Sequence, residues 1–455
     1  MGEVMKKLLI LLLVLCTGLA AQNQIKIPYS RYVLPNGLNV ILHEDHSTPT
    51  VTVNIWYHVG SGYEKPGRTG FAHLFEHLMF MGSGHVPNGE FDRLLEAAGA
   101  ENNASTNNDR TNYYEDLPIN ALELALYLDS DRMGYLADAM TPQTVDAQRA
   151  VVKNERRQSY ENRPYGLSEE TIEKNLYPEG HSYNWPVIGS MKDLDAASYN
   201  DVVQFFKTYY VPNNASLVIA GDIKPQETLQ LVEKWFGAIP AGKPVPPQNP
   251  AAAKLYDEKI VVLEDKVQLP RLYMVWISPA YFTPGDAELD ILGSILSGGK
   301  NSRLYKKLVY ELQIAQDVEA YQYSKKLVSE FQIVVTARSG HNLEEIKKAV
   351  QEEINNIKKE QPSQRELDRA VNQFEASFLN ALETPHEKAD ELNSYFYFTG
   401  NPDYANENLS RYKALSPDDI QSAAQTYLPD NGRVILSIVP QGKKDLAVNP
   451  KAEGK

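Results

Sequence analysis

The 455-residue chain is too long for one ordinary domain and suits two of about 200 residues each. Hydrophobic residues make up 42% and charged residues 23%, so sizeable cores can form. A formal net charge of -14 repels phosphate backbones, so no nucleic acid partner is expected.

Residues 1–20 read as a secretory signal peptide. Lys6 and Lys7 precede an apolar run at 8–15, and Gly18 and Ala20 allow cleavage before Ala21. An uncleaved anchor and a lipid on Cys16 are the competing readings. The apolar run is short for a bilayer, and bulky Leu15 precedes the cysteine. No later segment approaches 18 apolar residues, so no stable membrane insertion is expected. The expected address lies across the inner membrane, in the periplasm. Cleavage removes Cys16, the only cysteine, which excludes a disulfide and leaves His, Asp and Glu as metal ligands.

The first half, residues 21–240, opens with strands at 38–43 and 51–59. Helices follow at 70–81 and 90–98, then extended segments at 102–107 and 112–117. Helices at 121–136, 142–160 and 198–210 lead to a strand at 215–220. Residues 241–257 are a Pro-rich linker containing Pro244, Pro246, Pro247 and Pro250. The second half, residues 258–442, has strands at 271–277, 315–323, 331–337 and 433–438. Its helices fall at 287–296, 302–311, 343–357, 364–382 and 417–427. Polar residues 443–455 read as a loose tail. The expected fold class is α+β: two similar domains, each a mainly antiparallel sheet packed with helices.

The strongest chemical signal is His73-Leu74-Phe75-Glu76-His77. On a helix, His73 and His77 lie one turn apart on one face and can grip a single Zn2+. Glu76 stands beside them, placed to take a proton from a water acidified by the metal. A surface helix carrying these residues by chance is the competing reading, met on the order of once in a hundred such chains. Leu74, Phe75, Leu78, Met79 and Phe80 argue instead for burial, where His and Glu need partners. With no cysteine, a carboxylate is the natural third ligand. Glu155 lies beside an apolar stripe, but spacing alone does not choose it over Glu161, Glu169 or Glu170.

Further marks run in order along the chain. They are Leu34-Pro35-Asn36-Gly37-Leu38, Gly70-Phe71-Ala72-His73, Asn103-Ala104-Ser105-Thr106, Val151-Val152-Lys153-Asn154-Glu155, His181, Ile188-Gly189-Ser190 and Tyr210-Val211-Pro212-Asn213-Asn214. With these, the chain resembles the pitrilysin-like or mitochondrial-processing-peptidase-like zinc metallopeptidases, whose inverted motif is H-x-x-E-H. The resemblance spans residues 32–440. It implies one zinc per chain, held by His73, His77 and Glu155, with Glu76 catalytic. It also implies that residues 102–106 form an edge strand that holds a peptide substrate by strand addition, with Asn103, Ala104 and Ser105 as substrate-binding residues. Without it, the Asn-rich run 102–108 reads as a solvated turn.

Two positions depart from the family pattern. Relatives often carry a glutamate where this chain has Gln148, a site support able to hydrogen-bond but uncharged. Relatives also grip substrate carbonyls with an Arg and a Tyr from the second half. Arg303 matches the Arg, while the Tyr position falls at Gln316, with Tyr321 and Tyr323 off register.

The resemblance implies a zinc endopeptidase acting on short or unfolded peptides in a chamber completed by dimerisation. The partner is a second copy or a related zinc-free subunit, and the weakened Arg and Tyr pair points to the latter. The alternative is a non-catalytic scaffold or assembly subunit of the same fold. Such subunits lose His or Glu from the motif, and this chain has all three.

Overall fold

The structure, a computed structural model, describes residues 25–248 and 250–449; the expected signal peptide lies outside them. The first half contributes strands β1 (Ser30–Val33), β2 (Asn39–Glu44), β3 (Thr50–Tyr57), β4 (Glu101–Thr106), β5 (Thr111–Pro118) and β6 (Ala215–Gly221). Its helices are α1 (Phe71–Leu78), α2 (Glu90–Ala97), α3 (Leu122–Ala139), α4 (Pro142–Arg156), α5 (Ser168–Leu176), α6 (Met191–Ala196), α7 (Tyr199–Tyr209) and α8 (Pro225–Phe236). The second half contributes β7 (Lys259–Asp265), β8 (Arg271–Ser278), β9 (Ala315–Tyr323), β10 (Ser329–Ala337) and β11 (Arg433–Pro440). Its helices are α9 (Asp286–Ser297), α10 (Leu343–Lys359), α11 (Gln364–Asn380), α12 (Pro385–Thr399), α13 (Ala405–Lys413) and α14 (Pro417–Tyr427).

The two sheets repeat one plan. Strand order is β1-β2-β6-β3-β5-β4 in the first and β7-β11-β8-β10-β9 in the second. Apart from the extra β1, they match strand for strand. Each has one parallel pair, β2 with β6 and β7 with β11, in an otherwise antiparallel ladder. The fold is thus α+β with a duplicated architecture.

Side chains alternate across a strand, and here both faces are buried. Val40, Leu42, Leu217 and Ile219 enter the large first core, whereas Ile41, Val218 and Ala220 enter a second cluster behind the sheet. In the other half, Leu272, Met274 and Trp276 enter one core, while Tyr273 and Val275 enter another. The rear faces are covered reciprocally. Helix α12, from the second half, packs on β3 and β6; α5, from the first, packs on β8 and β11. Ala389, Leu392 and Tyr395 of α12 and Ile172 and Leu176 of α5 supply the apolar contacts. Each sheet therefore needs a helix from the opposite half.

Some expectations are corrected. The tail is not loose as far as Val448: Ala447 and Val448 are buried in the second core, and the Val448 N–H donates to Ser437 Oγ at 3.1 Å. The linker docks locally, with Gln248 Nε2 donating to the Gly62 carbonyl at 2.5 Å. Expected helices at 142–160 and 302–311 contain π-helical turns at Arg157–Glu161 and Tyr305–Glu311. No helix among the described residues is long and apolar enough to cross a membrane.

Candidate active site

Helix α1 begins at Gly70, whose φ of 92° a residue with a side chain would resist. Gly70 has no side chain to cap the helix, and a buried acid does so instead. Glu64 accepts the Gly70 and Ala72 N–H groups, each at 2.8 Å. Burial pushes its carboxyl up to about 8, against the lowering effect of those N–H groups. Phe71, Leu74, Phe75 and Leu78 seat the helix in the first core, where Phe75 stacks on Phe205 at 5.7 Å. That seating turns His73 and His77 toward Glu155 of α4 and Glu76 toward Thr106 of β4.

Helix α4 starts at a Thr141 cap with Pro142 in its first turn and delivers Glu155 near its end. Neighbouring Arg156 fixes this end by donating to the Gly189 carbonyl at 2.8 Å and to Glu170 at 2.6 Å. Glu155 Oε2 lies 3.1 Å from His77 Nε2, and Oε1 lies 3.6 Å from His73 Nε2. Ligand atoms of the three residues all fall within 4.8 Å of one another. Bonds of about 2.1 Å at a tetrahedral angle separate ligand atoms by about 3.4 Å, so this donor set fits a zinc ion. Burial lowers the His73 pKa, and the hydrogen bond with His77 lowers that of Glu155. The geometry thus groups Glu155, and not Glu161, Glu169 or Glu170, with the histidines.

Among the described residues, strand β4 is the outer strand of its sheet and pairs only with β5. Thr106, its last residue, donates its hydroxyl to Glu76 Oε2 at 2.6 Å. The Asn107 N–H donates to the Arg110 carbonyl, and antiparallel alternation then directs the main chain of Ser105 and Asn103 toward β5. Asn102, Ala104 and Thr106 face the free edge. The Ala104 N–H there meets Asn103 Oδ1 at 2.8 Å. Of the three expected substrate-binding residues, only Ala104 turns its main chain outward; Asn102 and Thr106, the two ends of the expected edge strand, do so as well. Beyond Glu155 opens a cleft of about 390 Å3 lined by Tyr160, Tyr165, Glu169, Arg271 and Tyr273. A larger recess, about 1190 Å3, lies on the second half among the paired charges of Glu258, Lys347 and Arg433, and shares no residue with the triad.

Two expected positions stand elsewhere. Gln148 Nε2 is directed at Met81 Sδ, not at a triad residue. Arg303 forks onto Glu366 at 2.7 and 3.1 Å and reaches Glu353 at 3.4 Å, which satisfies its guanidinium within the second half. Sequence reasoning missed Glu64. It lies six residues before Gly70, a spacing that helix-start rules do not cover.

Two family models match in tandem: "Insulinase (Peptidase family M16)" over residues 39–184 and "Peptidase M16 inactive domain" over residues 196–374. The chain belongs to peptidase family M16. This M16 chain is 28% identical to the zinc protease PqqE of Helicobacter pylori over 448 residues, 95% of this chain and 97% of that one. It is 22% identical to a probable mitochondrial-processing peptidase subunit beta of Arabidopsis thaliana, covering 93% and 81% of the two chains. A solved protease from Helicobacter pylori superposes with a TM-score of 0.86 at 26% identity, covering 91% of this chain and 100% of that one. The first half of the periplasmic protease PqqL from Escherichia coli shares the fold, with a TM-score of 0.76 at 20% identity over 92% and 93%. The halves share one architecture, but the motif stands in the first half alone. Helix α9 follows β8 as α1 follows β3, but its residues, DAELDILGSILS, include no histidine.

Proposed function

We propose that this chain is a zinc-dependent endopeptidase that hydrolyses short or unfolded peptides. The observation that carries this reading is the convergence of His73, His77, Glu155 and Glu76 beside the free edge of β4. His73, His77 and Glu155 would hold the ion. Zinc there supplies Lewis acidity, which polarises a peptide carbonyl and makes water acidic near neutral pH.

The remaining chemistry belongs to the chain. Main-chain groups of Asn102, Ala104 and Thr106 take an extended peptide as an added strand, which demands little of its sequence. Glu76 removes a proton from the attacking water and passes it to the departing amine as the C–N bond breaks. The Thr106 hydroxyl keeps the Glu76 carboxylate turned toward that water.

Dimerisation closes the chamber and excludes folded proteins. Arg303, already satisfied by Glu366 and Glu353, supports a related zinc-free partner subunit over a second copy. The pattern in residues 1–20 supports export to the periplasm.

The test is zinc content per chain together with cleavage of a quenched fluorogenic peptide before and after chelation. One zinc per chain is expected, with activity lost on chelation and restored by zinc. Undiminished cleavage by a metal-free chain would overturn the reading.

A further inference from the structure

The turn that joins β4 to β5 is buried where a hairpin tip of polar residues would ordinarily be solvated. Asp109, at that tip, is 3% exposed. Its Oδ1 accepts the Tyr183 hydroxyl, and its Oδ2 accepts the Lys326 N–H at 2.9 Å. Tyr183 Oη in turn accepts the Leu327 N–H at 3.1 Å, and the Tyr397 hydroxyl donates to the Asp109 carbonyl at 2.7 Å. Lys326, Leu327 and Tyr397 all belong to the second half.

The same turn is braced against β4. Asn107 Oδ1 accepts the N–H groups of Asp109 and Arg110 at 2.8 and 2.9 Å. Arg110 Nη1 donates to the Ser105 carbonyl at 2.9 Å and to its hydroxyl at 2.7 Å. At the far end of β5, His386 Nδ1 lies 2.9 Å from Asp116 Oδ2. Helix α12 therefore touches the far part of β5 through His386 and, through Tyr397 on the Asp109 carbonyl, the turn that aligns β4.

We propose that Asp109 is a positioning residue through which the second half holds β4 ready to receive a peptide. This rests on the reading of β4 as the peptide-binding edge. An outer strand free on one side otherwise loses backbone freedom when a peptide adds to it, and that cost weakens binding. A clamped turn meets the cost during folding. The half without a metal motif thereby acts on substrate affinity without touching substrate.

The test uses zinc-loaded full-length chain in a Glu76→Gln background and a fluorescein-labelled, unstructured ten-residue peptide, with binding read by fluorescence anisotropy. Asp109→Ala is expected to raise Kd about tenfold, the scale of one or two lost hydrogen bonds, with zinc content unchanged. Tyr397→Phe, which removes one hydroxyl from the second half, is expected to raise it about threefold. Asp109→Asn is expected to restore binding, because a carboxamide can accept from Lys326 and donate to Tyr183 Oη. Unchanged Kd in both Asp109→Ala and Tyr397→Phe, with lowered melting temperature, would show a purely structural clamp and overturn the proposal. If Asp109→Ala does not fold, Tyr397→Phe decides alone. A background chain that binds no peptide removes the role of β4 and this proposal together. One that binds but, with Glu76 restored, does not cleave removes only the peptidase reading.

Discussion

The Thr106 hydroxyl donates to Glu76 Oε2 at 2.6 Å, joining the last residue of the outer strand to the acid of the metal motif. On the proposed reading, peptide docking and proton transfer share this one hydrogen bond. Thr106→Val keeps the shape and removes the donor. It should lower kcat about tenfold while zinc content stays at wild type, because an unoriented carboxylate loses about one hydrogen bond of alignment. Thr106→Ser should recover most of the rate. Steady-state kinetics with metal analysis checks both.

Glu64 gives stability a pH dependence of predictable sign. Its carboxyl holds a proton up to about pH 8 in the folded chain, against an ordinary value of 4.5. A carboxyl that binds its proton more tightly folded than unfolded favours folding at low pH. That contribution is complete below pH 4.5 and lost as pH rises through about 8. Glu64→Gln cannot titrate. From pH 5 to 8, wild type should lose stability relative to Glu64→Gln by an amount on the order of a few kcal/mol, measured by urea unfolding.

The exchanged helices predict that neither half folds alone. Without α12, Ile41, Val218 and Ala220 lose their cover; without α5, Tyr273, Val275 and Val434 do. Each buried Leu, Ile or Val is worth about 1.5–3 kcal/mol, and a whole domain is stable by only about 5–15 kcal/mol. Residues 25–240 and 258–449 expressed separately should lack cooperative unfolding transitions by circular dichroism. Co-expressed, they should purify as a complex. An isolated half that melts cooperatively would contradict the exchange.

Local pattern revealed the central elements. The apolar runs of β3, β6, β8 and β10 and the periodicity of α10 and α11 are strong enough to read directly. Helix α12 was not legible. Its sequence ends in Tyr395-Phe396-Tyr397-Phe398, residues with strand preference, and its helical form depends on a sheet supplied by the other half. Strand β7 is half-buried at a sheet edge, which blurs its alternation. In the site, His73, Glu76 and His77 stand on one helix, so spacing exposes them. Glu155 arrives from another helix and needed the family resemblance. Arg303 shows the converse: motif position cannot reveal that Glu366, 63 residues later, already occupies its guanidinium.

The role of Glu76 is the central claim, and a single substitution tests it. Glu76→Gln changes a carboxylate to a near-isosteric amide that cannot accept the proton. Zinc per chain and peptide cleavage are measured on wild type and variant prepared alike. The account predicts equal zinc in both, with cleavage by Glu76→Gln reduced at least about a hundredfold. Equal zinc with equal cleavage would contradict it.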